Sequence, residues 1–106
     1  KDYARVVDVY RRWLAARPNS PDAQSKLAFA YYQQGELNKS IDAYLRYLQV
    51  APDDSTVWEA HKNLALLYQK TGDLATAEQQ AHIAARLAPP DLQAPLIDFA
   101  LRLGEH

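Results

Sequence analysis

The sequence predicts an all-α fold in which antiparallel helix pairs stack into a solenoid of about six helices. The first observation is an internal repeat, since Gly35 and Gly72 lie 37 residues apart, as do Pro52 and Pro89. The second is the recurrence of apolar residues at spacings of three and four, while no segment alternates with a period of two. The predicted loops are short, which makes neighbouring helices antiparallel.

The composition is that of an ordinary folded domain. The chain has 106 residues, of which 48% are hydrophobic and 24% are charged, so we expect one domain over residues 1–106. A net charge of −1 gives no general attraction to nucleic acid or to anionic membranes. No apolar run approaches the length of a membrane span, and no signal-peptide pattern is present.

Two residue types are missing altogether. Without Cys, disulfides and thiolate metal sites are excluded, and the composition indicates no cellular compartment. Met is absent even at residue 1, so we expect an excised fragment or a processed product whose anchor or partner domain lies elsewhere.

The first helix is predicted over residues 3–17 and ends at Pro18, which disfavours helical geometry in the residue before it. Its expected apolar face comprises Val6, Val9, Tyr10, Trp13 and Leu14. Ser20 as N-cap and Pro21 as first residue begin the second helix, and Gly35 ends it.

The third helix is predicted over residues 37–51, closed by Pro52. Its expected apolar face comprises Leu37, Ile41, Tyr44, Leu45 and Leu48. The fourth helix opens where Thr56 and Glu59 have the spacing of a capping box, and it ends at Gly72.

Proline sets the expected limits of the last two helices. The fifth helix is predicted over residues 74–88 and is stopped by the prolines at 89–90. The sixth is predicted over about 92–103, with Pro95 in its first turn and Gly104 at its end.

The repeated residues and their spacing resemble the tetratricopeptide repeat (TPR) family, whose sequence pattern is roughly W-x2-L-G-x2-Y, then A-x3-F, then P. The first full repeat has at these places Gln24, Leu27, Ala28, Tyr31, Ser40, Tyr44 and Pro52. The second has His61, Leu64, Ala65, Tyr68, Ala77, Ala81 and Pro89. Two departures stand out: Gln24 and His61 replace the opening aromatic residue, and about three extra residues at 55–57 lengthen the fourth helix.

The resemblance implies an order of segments along the chain. Residues 1–18 are similar to the second helix of a partial repeat, and 21–54 to a full repeat. Residues 55–91 form a repeat with three extra residues, and 92–104 a closing helix. TPR-like helix pairs imply a right-handed superhelical stack, acting as a non-catalytic scaffold for protein–protein interaction.

In TPR proteins the first helices of successive repeats line a concave groove that binds peptide segments. The corresponding places here are Ser25, Phe29, Tyr32, Gln33, Glu59, Lys62, Leu66, Gln69, Lys70, Gln93, Leu96 and Ala100. Phe29, Leu66 and Ala100 are expected to form an apolar ribbon that attracts an apolar or aromatic peptide segment. An acidic residue of that peptide would face Lys62 or Lys70. The competing interpretation is that Phe29 packs under the first helix or under an upstream helix.

The carboxylate clamp of some TPR domains is not matched. Ser25 and Phe29 stand where that clamp has Lys and Asn, and Gln93 and Ile97 replace its cations on the last helix, although Asn63 matches the middle Asn. The resemblance therefore argues against a receptor for chaperone tails.

No motif in the sequence indicates an enzyme. GxSxG, HExxH and a phosphate-binding Gly loop are all absent, and the three Gly residues fall at helix ends or in turns. A metal site from His61, His82 and Glu78 is the sharpest alternative, yet a packing His and a surface His are the favoured interpretation. We therefore expect no catalysis, no metal and no cofactor.

The first helix is the part of the chain that could suggest binding to nucleic acid or to a membrane, because it carries four arginines, Arg5, Arg11, Arg12 and Arg17. Asp2 and Asp8 dilute this charge, and the interleaved aromatic residues fall on the apolar stripe. Core packing beside a solvated face is favoured, so a protein or peptide is the expected partner.

Self-association through the terminal helices is the alternative function. The first helix lacks its repeat partner, which leaves a flank with Tyr3, Val7 or Trp13 uncovered. The closing helix has more apolar residues than one flat contact needs, namely Leu92, Leu96, Ile97, Phe99 and Leu103. Either end would then pair with a second copy or continue the stack of a larger or membrane-anchored complex.

Overall fold

A computed structural model describes residues 2–50 and 55–105 of the chain. Within these ranges the backbone forms helices and turns and no β-strand. The six helices are α1 (Tyr3–Ala16), α2 (Pro21–Gln34), α3 (Leu37–Val50), α4 (Val57–Thr71), α5 (Leu74–Leu87) and α6 (Pro90–Gly104). The predicted all-α class is confirmed, whereas the predicted end of the third helix at Ala51 and Pro52 lies outside the described residues.

The contacts group the chain into two compact units, Lys1–Pro52 and Asp53–His106. In the first unit, α1 packs on α2 and α2 packs on α3. In the second, α4 packs on α5 and α5 packs on α6. Each helix therefore buries its apolar face mainly against its neighbour along the chain.

The buried face of α1 differs from the predicted one. Val7 is buried against α2 in a cluster with Leu27 and Ala30, and Tyr10 and Leu14 pack at its edge. Val6, Val9 and Trp13, which were predicted to be buried, are 39%, 51% and 46% exposed. The sequence carries two apolar stripes one residue apart, about 100° around the helix, and α2 covers the second.

Helices α2 and α3 meet through small side chains. Ala28 and Ser40 are both fully buried, and the Ser40 hydroxyl donates a 2.7 Å hydrogen bond to the Ala28 carbonyl. Next to this contact Tyr44 and Tyr47 are also buried, whereas Leu45, predicted to be buried, is largely exposed. Small residues at the crossing let the two backbones approach closely.

The predicted helix ends are confirmed at Ser20, Gly35 and Gly72, where a single residue caps or ends the helix. The Ser20 hydroxyl accepts a 3.3 Å hydrogen bond from the Ala23 N–H at the start of α2. Gly35 and Gly72 follow α2 and α4 with φ of 80° and 90°, a conformation that glycine adopts without steric cost. Asp73 caps α5, because its carboxylate accepts from the Thr76 N–H at 3.2 Å.

The predicted capping box at α4 is wrong. Thr56 occupies the N-cap position, but its side chain makes no capping hydrogen bond. The backbone there has φ −100° and ψ 9°, outside the extended region from which a cap hydroxyl reaches the helix N–H groups. The Glu59 N–H bonds the Thr56 carbonyl at 3.0 Å instead.

The second unit has an alanine-rich core. Helices α4, α5 and α6 meet at Ala65, Ala77, Ala81, Ala100 and Leu103, all buried. Leu64 and Leu67 of α4 are fully shielded from solvent. Small side chains at the crossings again allow close helix approach.

Helix α6 begins two residues earlier than predicted. Pro90 is its first residue rather than a stop, a position where the missing N–H has no cost. Pro95 consequently lies inside the helix rather than in the first turn, and it deprives the Asp91 carbonyl of its usual donor. Gly104 is the last residue of the helix. A Cβ atom at this position would lie only 2.8 Å from Oε2 of the Glu78 carboxylate, so the site has little room for a side chain.

Candidate protein-interaction surfaces

The four predicted groove residues of α2 share one side of the helix, because they are spaced by three, four or one. Phe29 is 50% exposed, so packing against α1 does not cover it. Its ring stacks on that of Tyr32, with centroids 6.4 Å apart and an interplanar angle of 22°. Beside this pair, Gln33 is exposed, and the Ser25 hydroxyl donates to the Asp22 carbonyl at 3.0 Å.

The predicted residues of α4 form a second, more polar surface. Leu66 is partly buried, while Glu59, Gln69 and Lys70 are exposed. The Lys62 ammonium lies 5.7 Å from the centre of the Trp58 ring, within cation–π distance. This surface belongs to the second unit and the α2 surface to the first.

Two of the three residues predicted to line the groove on α6 are buried. Ala100 is fully buried among Ala65, Ala77 and Ala81, and Leu96 is buried with the C-terminal half of α5. The Gln93 side chain donates to the Ala88 carbonyl at 3.1 Å. The predicted ribbon of Phe29, Leu66 and Ala100 is therefore wrong in its third member, whose methyl group fills a helix crossing.

The terminal helices carry further exposed apolar residues. On α1 the exposed residues Val6, Val9 and Trp13 form one stripe, and the Arg17 guanidinium lies 4.8 Å above the Trp13 ring. Val7, predicted for this flank, is buried. On α6, Leu92 and Ile97 are exposed as predicted, and so is Leu101, which sequence reasoning did not select. Leu96 and Leu103 are buried and cannot contribute.

The histidines have ordinary partners. His61 Nδ1 lies 2.6 Å from Gln80 Oε1, which ties α4 to α5. His82 Nε2 lies 3.6 Å from Glu78 Oε2, four residues earlier on α5. Within residues 2–50 and 55–105, no three His, Asp or Glu side chains lie close enough together to hold a metal ion. In the same ranges, no helix has the length and apolar character needed to cross a membrane.

Comparison with known proteins settles the family. A family profile described as "Tetratricopeptide repeat" matches residues 1–64, more than half of the chain. The chain belongs to the tetratricopeptide repeat family. TPR domains are interaction scaffolds for other proteins and typically lack catalytic activity.

Two curated relatives are similar to this TPR chain. Photosystem I assembly protein Ycf3 of Synechococcus sp. (strain CC9605) is 31% identical over 77 residues, covering 70% of this chain and 43% of the relative. The protein of the same name from Prochlorococcus marinus subsp. pastoris (strain CCMP1986 / NIES-2087 / MED4) is 30% identical over 105 residues, covering 96% and 58% respectively. The TPR chain thus spans about half the length of these relatives.

A solved structure shares the fold at low sequence identity. The Yersinia enterocolitica type III secretion translocator chaperone SycD superimposes with a TM-score of 0.84 at 15% identity. The match covers 97% of this chain and 72% of SycD. It therefore confirms the TPR-like helical architecture.

Proposed function

We propose that this TPR chain is a non-catalytic module that binds an apolar or aromatic peptide segment of a partner protein on the exposed face of α2. The observation that carries the proposal is the stacked pair of Phe29 and Tyr32. Phe29 keeps half of its surface in water, although core positions are available one residue to either side, at Ala28 and Ala30. Phe29 is half exposed and Tyr32 is partly buried, and an accessible aromatic pair with a polar rim is typical of a protein-binding surface.

The relatives support a role in handling other proteins. Ycf3 is named as an assembly protein and SycD as a chaperone of translocator proteins. One name refers to the assembly of a photosystem and the other to a chaperone, and neither names a chemical reaction. We extend only that general role to this chain, as a module that holds a partner protein during assembly.

The α4 surface would provide a second contact for the same class of ligand. Leu66 offers a partly exposed apolar contact, and Lys62 and Lys70 add positive charge beside it. A peptide with an acidic residue next to an apolar one fits this combination, since a lysine ammonium pairs readily with a carboxylate.

A capture experiment from a lysate of the source organism tests the proposal. Immobilised wild type is compared with Phe29→Glu and Leu66→Glu, singly and together. The matched control is Leu87→Glu with Leu101→Glu, which places the same charges at two other exposed leucines. Circular dichroism first establishes that all variants are folded.

A protein retained by the wild type and the control, but lost with Phe29→Glu, would support peptide binding on α2. Loss with Leu66→Glu alone would move the site to α4. Equal retention by all variants, or by none, would contradict the proposal.

The second candidate function is self-association through α1. The exposed stripe of Val6, Val9 and Trp13 supports it, because three apolar side chains on one helix face favour burial against another chain. Sedimentation velocity over a hundredfold range of concentration measures it directly. A weight-average mass that rises with concentration in the wild type, but not in Val9→Glu, would support this function, and a constant monomer mass would exclude it.

A further inference from the structure

The first unit contains an open cavity that the α2 peptide surface does not include. Its volume is about 790 Å³, and it lies between α1 and α3 with α2 at its base. Arg11 and Leu14 line it from α1, Gln24 from α2, and Arg46 from α3. Neither Phe29 nor Tyr32 lines it, so the cavity is independent of the proposed function.

Gln24 is the unusual residue of this cavity. It is only 5% exposed, yet no hydrogen bond of its side chain is found among the described residues. Among residues 2–50 and 55–105, every side-chain nitrogen or oxygen that is fully shielded from solvent has a hydrogen-bond partner. The Gln24 amide must therefore reach solvent, and the cavity that it lines provides the way. A nearly buried amide without a protein partner is free to bind a ligand.

The position of Gln24 explains why space exists there. The repeat pattern has a Trp at this place, and Gln24 is much smaller. A shorter side chain at the base leaves room between α1 and α3, and it exchanges an apolar filling for an amide with donors and an acceptor.

The charges around the cavity select an anion. Arg11, Lys39 and Arg46 line it, against one carboxylate, Asp42. Lys39 Nζ lies 3.5 Å from the Glu36 carboxylate, but Arg11 and Arg46 form no ion pair within the described residues. Two guanidinium groups without carboxylate partners are well suited to bind a carboxylate through paired N–H···O bonds.

The apolar part of the lining points to a peptide rather than a free ion. Leu14 and Leu27 line the cavity together with Gln24, so its lining combines apolar and cationic side chains. A peptide that carries an aliphatic side chain between acidic residues satisfies both parts. Nucleic acid fits less well, because Asp42 interrupts the cations and the whole chain has a net charge of −1.

We propose that this cavity binds an acidic segment of a partner protein, with the Gln24 amide donating to a carboxylate that Arg11 and Arg46 also bind. The site is a second contact surface of the first unit, formed by α1, α2 and α3. It does not depend on the α2 aromatic pair, so failure of one proposal leaves the other standing.

The probe is an acetylated and amidated peptide of sequence Glu-Glu-Leu-Glu-Glu, titrated into the ¹⁵N-labelled full chain. We expect the Gln24 side-chain amide signals to shift most, along with backbone amides near Leu27 and Arg46. Arg11→Glu with Arg46→Glu should weaken binding at least tenfold. The matched control, Arg5→Glu with Arg102→Glu, changes the charge equally at exposed positions away from the cavity and should bind like the wild type.

Two further variants address Gln24 itself. Gln24→Leu keeps the approximate size but removes the amide, and Gln24→Trp fills the cavity with the residue that the family pattern has there. Both should lose peptide binding while remaining folded by circular dichroism, and the Trp variant should melt at a higher temperature because it buries more apolar surface.

Three outcomes would overturn the proposal. The first is the absence of shifts at Gln24 with the wild type at millimolar peptide. The second is equal affinity of the wild type and the Arg11→Glu, Arg46→Glu variant. The third is tighter binding of a ten-nucleotide thymidine strand that displaces the peptide, which would assign the cavity to nucleic acid.

Discussion

The buried hydroxyl of Ser40 offers a sharp test of how α2 and α3 are held together. Ser40 is fully shielded and donates a 2.7 Å hydrogen bond to the Ala28 carbonyl. The residue 37 positions later, Ala77, is fully buried at the equivalent crossing of α4 and α5. Alanine is therefore sterically compatible with this position, and Ser40→Ala removes the hydrogen bond with little other change.

The expected loss of stability in Ser40→Ala depends on which hydrogen bonds the Ala28 carbonyl keeps. The Ala28 carbonyl keeps its helical N–H donor from residue 32, so it is not left without a partner. Ser40→Ala should then cost the net value of one hydrogen bond, about 0.5–1.5 kcal/mol. For a chain of this size 1 kcal/mol corresponds to a drop in Tm of roughly 4–8 °C, so the expected drop is roughly 2–12 °C. Ser40→Val also forces extra carbon into a filled site and should cost roughly 2–4 kcal/mol.

The two tryptophans allow the first unit to be measured by itself. Trp13 lies in the first unit and Trp58 in the second, and the sequence has two Trp in all. In a Trp58→Phe background, urea unfolding followed by Trp13 fluorescence reports the free energy of unfolding of the first unit. Ser25→Ala is the matched control, because Ser25 donates a similar bond to the Asp22 carbonyl at the surface, where water can replace it.

The reasoning would be refuted if Ser40→Ala were as stable as the parent, or if Ser40→Val were less damaging than Ser40→Ala. A loss with Ser25→Ala as large as that with Ser40→Ala would also contradict it, since burial would then have no influence.

Three further predictions concern helix ends and the proline of α6. Gly72→Ala should destabilise the second unit by about 1–2 kcal/mol, because the left-handed conformation at φ 90° is strained for a residue with a Cβ, although the space around it is open. Gly72→Asn should lose less stability in thermal unfolding, because Asn adopts this conformation more readily. Asp73→Ala should cost about 1 kcal/mol by loss of the α5 N-cap, and Asp73→Asn should preserve most of it, as urea midpoints would reveal. Pro95→Ala should raise the free energy of unfolding by at most about 3 kcal/mol, because the new N–H can donate to the Asp91 carbonyl. Hydrogen exchange should then show a protected amide at residue 95. An unprotected amide there would mean that this hydrogen bond does not form.

Sequence reasoning succeeded where one residue determines the local backbone. Ser20 and Pro21 fix the start of α2, and Gly35 and Gly72 fix two helix ends, because their conformational preferences need no tertiary partner. Thr56 failed as a capping residue because its backbone has φ −100° and ψ 9°, outside the extended region that a capping hydroxyl needs, and residue type alone does not determine that conformation.

The orientation of α1 could not be read from its sequence. Two overlapping apolar stripes are available, and only the packing of α2 decides that Val7 is buried and Val9 is not. The same limit applies to the candidate sites. Family spacing placed Phe29 correctly on an exposed face. Ala100 matched a groove position but is buried, because the packing of α6 on α4 and α5, and not the spacing along α6, determines which side of the helix faces the core.

The departure at Gln24 was visible in the sequence, yet its meaning was not. A Gln in place of an aromatic residue reads as a tolerated substitution until the cavity above it and the two guanidinium groups beside that cavity are known. Side chains from three helices combine there, and no spacing rule along one helix predicts such a meeting.

The local character of the packing has a consequence for how the protein is made. Within each unit the main helix contacts join elements adjacent along the chain, so the contacting residues are separated by short stretches of sequence. Short separations lower the entropy lost on closing each contact and are associated with rapid folding. During synthesis, the first unit can therefore complete its own contacts as soon as α3 has left the ribosome, while residues 57–104 are still to be translated.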